Sequence, residues 1–272
     1  FLTCMNRIMR IINMTKKLLV TFVVMFVALL TIIGFILIKD SGKDIRPITS
    51  TVEPTETPEA TVEPTIEPTM DPESDPRFTS TDSVLVFANK KHKLPDEYVP
   101  GDLVSLSVST AYGDVQMRQE AADAIANMFN AANAEGIYPV VTTAYRGEDF
   151  QRQLYDNYVN RDGQEAADTY SSRPGYSDHQ TGLAADISCE ANGYNLNRDF
   201  ENTAEGQWLA QHAHEYGFVM RYPDGKQDIT GYMYEPWHFR YIGVEEATAL
   251  YNVDPNMTME EYYGISGGNY AE

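Results

Sequence analysis

The chain has 272 residues and a formal net charge of −20. That length holds one sizeable globular domain with appendages, and the negative charge excludes nucleic acid as a partner, since a phosphate backbone demands a basic face. Two cysteines, Cys4 and Cys189, exclude a disulfide framework; Cys189 is expected as a free buried thiol, with metal ligation as its alternative.

Residues 1–17 carry Arg7, Arg10, Lys16 and Lys17 and precede residues 18–38, a run of 21 without a charge. Such a run crosses about 30 Å of hydrocarbon as a helix. No small-x-small cleavage site and no lipid-anchor cysteine follows it. It therefore predicts an uncleaved signal anchor: a single-pass membrane segment with a cytoplasmic N-terminus and the rest of the chain extracytoplasmic. Residues 39–80 include "STVEPTETPEATVEPTIEPTMDPESDP". Recurrent proline and glutamate cannot build a core, so this segment is expected as a disordered stalk. A stalk behind a membrane anchor suits work at a distance from the bilayer, as in a cell wall.

Residues 81–272 read as the globular domain. Residues 83–89 and 102–108 have strand character. Residues 115–136 place Ala121, Ile125, Met128, Phe129 and Ala132 at helical spacing and end at Gly136. A strand follows over 137–146, then a helix over 148–160 with Phe150, Leu154, Tyr155 and Tyr158 to one side. Residues 182–188 predict a strand, 203–217 a helix capped by Thr203 and stopped by Gly217, and 235–243 a final strand. This mixed order predicts an α+β fold, with helices packed on a small, largely antiparallel sheet.

The chemistry concentrates in two stretches. His179 and Asp186 lie seven residues apart. On one straight strand that spacing is about 20 Å or more, with side chains on opposite faces; on one helix it is roughly 10 Å along the axis. Neither lets both reach one ion at about 2.0–2.2 Å, so the chain must bend between them, and Gly182 can bend. Asp186 then projects from a strand whose Leu183, Ala185 and Ile187 face the other side. His238 in "YEPWHFRYIG" is the best third ligand. Pro236 biases this segment toward extended backbone, with Trp237, Phe239 and Tyr241 on one face and His238 and Arg240 on the other. Two histidines and one carboxylate leave a position open for water, as in catalytic zinc sites. Glu235, three residues before His238, is the natural general base, and Arg146 the leading cation for a developing oxyanion. His212 and His214 are expected as structural residues, and His92 at the surface.

Taken together, "SDHQTGLAAD" matches Ser-x-His-x-x-Gly-x-Ala-x-Asp and "EPWH" matches Glu-x-x-His. With "TTAYRGEDFQRQLYD", "YGFVMRYPDG" and "TGYMYEPWHFRYIG", these blocks resemble the VanY-type D-alanyl-D-alanine carboxypeptidases over most of residues 83–250. The resemblance implies one Zn2+ per domain on His179, Asp186 and His238, a base at Glu235, a transition-state role for Arg146 and substrate contacts near Gln151 and Ser177. Gly147 departs from the serine usual in that family. The implied activity is hydrolysis of a terminal peptide bond next to D-alanine in peptidoglycan stem peptides, by D,D- or L,D-specificity. A cross-link endopeptidase and a non-catalytic wall-binding module with a structural zinc are the alternatives. No Ser-x-x-Lys, Gly-x-Ser-x-Gly or His-Glu-x-x-His occurs, so a serine mechanism has no support.

Overall fold

The computed structural model describes residues 71–271. The expected membrane span at 18–38 and the stalk up to residue 70 lie outside the described residues. Among the described residues, no helix is long and apolar enough to cross a membrane.

A four-stranded antiparallel sheet organises the domain in the order β3 (Val140–Thr143), β4 (Ala184–Ser188), β6 (His238–Tyr241), β5 (Phe218–Met220). A separate two-stranded ribbon pairs β1 (Leu103–Ser105) with β2 (Gln116–Arg118). The expected α+β architecture is therefore present, although β5 was not anticipated. Its short run, Phe218 to Met220, carries too little alternation to read as a strand.

One face of the sheet is the core. The helix Gln119–Ala134 buries Ala121, Ile125, Met128, Phe129 and Ala132. These pack with Leu183, Ala185 and Ile187, with Trp237, Phe239 and Tyr241, and with Trp208 and Leu209 of the helix Ala204–His212. The period-2 alternation of both central strands is thus used as expected, and the other face is free for Asp186, His238 and Arg240. Thr203 caps its helix by accepting from the Gly206 N–H. Gly217 ends the helical segment at φ 86°, where a Cβ would lie 2.6 Å from the Tyr241 ring. Only glycine fits both the left-handed turn and that close approach.

Several local expectations are corrected. Residues 83–89 form turns rather than a strand. The carbonyls of Val84 and Val86 accept instead from the Arg240 guanidinium, so they are unavailable to a ladder. The helix expected from 115 begins at Gln119, because residues 116–118 pair with β1. On the helix Glu148–Asp162, Gln151 and Tyr155 are buried, while Phe150 is 59% exposed. Two helices at the C-terminal end, Val244–Val253 and Met259–Tyr263, were not anticipated.

The expected stalk boundary at residue 80 also moves. Residues 71–80 contain the helical turns Pro72–Ser74 and Pro76–Thr79, each capped by an aspartate side chain, Asp71 and Asp75. Phe78 is 3% exposed in a second cluster with Leu85, Phe87, Val219, Leu250 and Met259. A single aromatic in a proline-rich run gave weak periodicity, and tertiary packing captured it. Phe78→Ala should cost about 3–5 kcal/mol, the range for a buried aromatic truncation. Denaturant unfolding of the variant measures this; an unchanged midpoint would detach residues 71–80 from the domain.

Candidate active site

Asp186 and His238 stand directly opposite each other in the β4–β6 pairing. Directly opposed side chains on one face of an antiparallel pair have Cβ atoms about 4.5–5.5 Å apart, close enough to share an ion. His238 Nδ1 lies 3.2 Å from Asp186 Oδ1. His179 arrives from a different element, a 3-10 turn over Asp178–Thr181. Ser177 caps that turn by accepting from the His179 N–H at 3.3 Å. Gly182 closes it at φ 70°, the bend between His179 and Asp186 that the spacing demanded. His179 Nε2 then sits 3.3 Å from Asp186 Oδ2.

These three residues are buried, and one ligand atom from each lies within 4.8 Å of the others. A tetrahedral ion with bonds of about 2.0–2.1 Å separates neighbouring donor atoms by roughly 3.3–3.4 Å. The separations of 3.3 and 3.2 Å, one to each oxygen of the Asp186 carboxylate, are of that order. The donor chemistry fits as well. His179 Nδ1 faces the Ala144 carbonyl at 2.7 Å, which holds the proton there and leaves the Nε2 lone pair for a metal. Asp186 Oδ1 is buried without a hydrogen-bond partner, an unmet acceptor that a cation would satisfy. The expected metal set His179, Asp186, His238 is therefore brought together.

Glu235 joins them through the turn before β6, with Oε2 3.4 Å from His238 Nδ1. Burial pushes its carboxyl above the usual range, against the opposing pull of His238. Asp186 behaves oppositely. Burial would raise it, but His179 and His238 hold it well below the ordinary carboxylate value. Two carboxylates at one site are thus shifted in opposite directions. Burial, assisted by Arg146, lowers His179 to about 4. Burial also disfavours charged His238, but Asp186 and Glu235 outweigh it and raise that imidazole to about 9.

Arg146 follows β3 and is, among the described residues, the only Lys or Arg on the wall of a cavity of about 270 Å³ that also exposes His179, Asp186, Glu235 and His238. Its Nε donates to Gln151 Oε1 at 3.2 Å, and its Nη1 lies 3.5 Å from Asp186 Oδ2. Ser177 is on the cavity wall. Gln151 is not; it stands behind Arg146, donating to the Ser172 carbonyl at 2.7 Å. The other wall positions, Tyr158, Tyr170, Ser171, Ser172, Tyr222 and Trp237 among them, were not anticipated. Nor was Asp178, although it sits inside the quoted motif.

The remaining histidines lie elsewhere. His92 bonds Asn89 and Glu73, His212 faces Glu215, and His214 stacks on Tyr251 at 3.7 Å. Cys189 is a free buried cysteine.

With His238 charged and His179 neutral near pH 7, metal entry must displace a proton from His238. Calorimetric titration of metal-stripped protein with zinc, in buffers of differing ionisation enthalpy, should report about one proton released per ion at pH 7. Affinity should rise with pH up to about 9, the pKa of His238, and level off above it, where the imidazole is neutral.

Residues 114–244 match the family described as VanY, D-alanyl-D-alanine carboxypeptidase. The putative carboxypeptidase YodJ of Bacillus subtilis is 43% identical over 186 residues, 67% of this chain and 67% of that protein. The D-alanyl-D-alanine carboxypeptidase of Enterococcus faecalis is 32% identical over 65% of each chain, slightly less than two thirds of that relative. Among solved structures, the LdcB LD-carboxypeptidase superposes with a TM-score of 0.64 at 39% identity, covering 70% of this chain and 90% of that one. A mutant of the vancomycin resistance D,D-pentapeptidase VanY in complex with Zn(II) gives 0.53 at 31%, covering 62% and 93%. Together with the converged ligand set, these likenesses establish that the chain belongs to the VanY D-alanyl-D-alanine carboxypeptidase family.

Proposed function

We propose that this chain is a membrane-anchored, extracytoplasmic zinc carboxypeptidase that releases the terminal D-alanine of peptidoglycan stem peptides. The carrying observation is the cross-strand pair Asp186–His238 with His179 and Glu235 gathered at one cavity. The charge-free run at 18–38 and the proline-rich segment behind it support the location. Zinc is supported by the two-imidazole, one-carboxylate donor set and by the Zn(II) complex of the related pentapeptidase. Greater likeness to the LD-carboxypeptidase than to the D,D-pentapeptidase favours a tetrapeptide ending in a single D-alanine.

His179, Asp186 and His238 would hold the zinc, which would polarise the scissile carbonyl and make water nucleophilic near neutral pH. The chain's own residues do the rest. Glu235, buried with a raised pKa, accepts the proton of the attacking water and passes it to the amine nitrogen as the C–N bond breaks. Arg146 places the wall's only Lys or Arg charge where the tetrahedral oxyanion develops, and Gln151 fixes that guanidinium. Tyr158 and Ser171 bring hydroxyl donors to the wall, suited to a terminal carboxylate.

Incubation with muramyl tetrapeptide, muramyl pentapeptide and a cross-linked muropeptide dimer, with and without chelator, tests this reading. Free D-alanine should appear only without chelator, and faster from the tetrapeptide. A cut cross-link without free D-alanine would instead identify an endopeptidase. Penicillin should leave the rate unchanged.

Glu235→Gln should lower kcat by about 10²–10⁴ while zinc content stays near one per chain. Arg146→Ala should lower kcat by about 10²–10³ with a smaller effect on zinc affinity. Near-normal turnover in either variant would remove that residue from its role.

A further inference from the structure

Behind the ligand residues runs a chain of buried charges that the chemistry above does not use. Asp178 is 1% exposed. Its Oδ1 accepts from Arg240 Nη1 at 2.6 Å and its Oδ2 from Arg221 Nε at 2.9 Å. Arg221 turns its other two nitrogens on Glu260, at 2.7 and 2.6 Å. Asn89 Nδ2 donates to the same carboxylate at 3.0 Å. Arg240 spends its remaining donors on the carbonyls of Tyr241, Val84 and Val86. All four charged residues are buried, and their formal charges cancel.

Such a network is costly to desolvate, and apolar residues of the same volume would often stabilise a fold as well. What the network does produce is one immobile carboxylate beside a ligand. Asp178 Oδ2 lies 3.9 Å from His238 Nε2. That nitrogen is buried and has no hydrogen-bond partner. The separation exceeds a hydrogen bond, so the contact is between a fixed negative charge and the ring edge. The opposite nitrogen, Nδ1, is the one that faces Asp186 and Glu235. A neutral imidazole can present only one lone pair, and the partner of the other nitrogen decides which.

We propose that Asp178 is a positioning residue of the metal centre. Its carboxylate, locked by Arg221 and Arg240, selects the His238 tautomer protonated at Nε2 and so aims the Nδ1 lone pair at the ion. Glu260 anchors this arrangement from the helix Met259–Tyr263, beyond the residues 114–244 that match the family. A zinc ion held here would meet the two imidazoles in opposite senses, at His179 Nε2 and His238 Nδ1.

The inference rests on the zinc reading, and one experiment separates their failures. The full chain, labelled with 15N-histidine and loaded with zinc, is read by long-range 1H–15N correlation. His238 should carry its proton on Nε2 and His179 on Nδ1. Asp178→Asn should then raise the zinc dissociation constant about 10–100-fold in chelator competition and populate the other His238 tautomer. Wild-type protein that binds zinc through His238 Nε2 overturns the role of Asp178 and leaves the zinc reading intact. So does a folded Asp178→Asn protein with wild-type affinity and tautomer. Wild-type protein that takes up no zinc overturns both. Should Asp178→Asn not fold, the wild-type tautomer assignment decides alone.

Discussion

In the β4–β6 pair, Asp186 faces His238 across one antiparallel register, and the site depends on that opposition. A slip of one residue would turn the slipped strand over and send its ligand, Asp186 or His238, toward the apolar core. The register is held because the intervening residues, Ala185 and Ile187 on one strand and Phe239 and Tyr241 on the other, are already committed to that core. Hydrophobic burial on one face of the sheet therefore sets the donor spacing on the other. His179 is the exception, delivered by a capped 3-10 turn rather than by the ladder. Its position relies on the Ser177 cap and on the left-handed Gly182.

Electrostatics then gives similar groups different tasks. Asp186, Glu235 and Asp178 are all buried carboxylates of the same site. Asp186 has two imidazoles against it and stays ionised, ready to ligate. Asp178 is desolvated too, but Arg240 and Arg221 hold it in the charged form. At Glu235 burial outweighs the opposing pull of His238 and Arg146, and the carboxyl is raised. The division of labour comes from neighbours, since the carboxylates themselves are nearly equivalent in water.

The domain is also larger than its family match. Phe78 and Met259, from opposite ends of the described chain, share one apolar cluster with Val219 of the sheet. Glu260 connects that end of the molecule to Asp178 through Arg221. Residues outside 114–244 thus bear on the site through packing and charge rather than by entering the cavity.

The sequence by itself determined the α+β class, the free cysteine, the ligand types and the bend between His179 and Asp186. Each of these follows from local information: alternation of apolar residues, a glycine at a forced turn, and donor chemistry at a spacing no regular element can close. The matched motifs carried the family. Only the tertiary structure decided that residues 83–89 surrender their carbonyls to Arg240, that Phe78 belongs to the domain, and that Gln151 stands behind Arg146 instead of on the cavity wall. Those outcomes turn on partners far away in sequence, which periodicity and spacing cannot register. The neutral charge chain from Asp178 to Glu260 is the clearest case. Nothing local in four charged residues scattered from position 178 to 260 signals that the fold buries them together, where each charge tolerates the loss of water only because the next one is there.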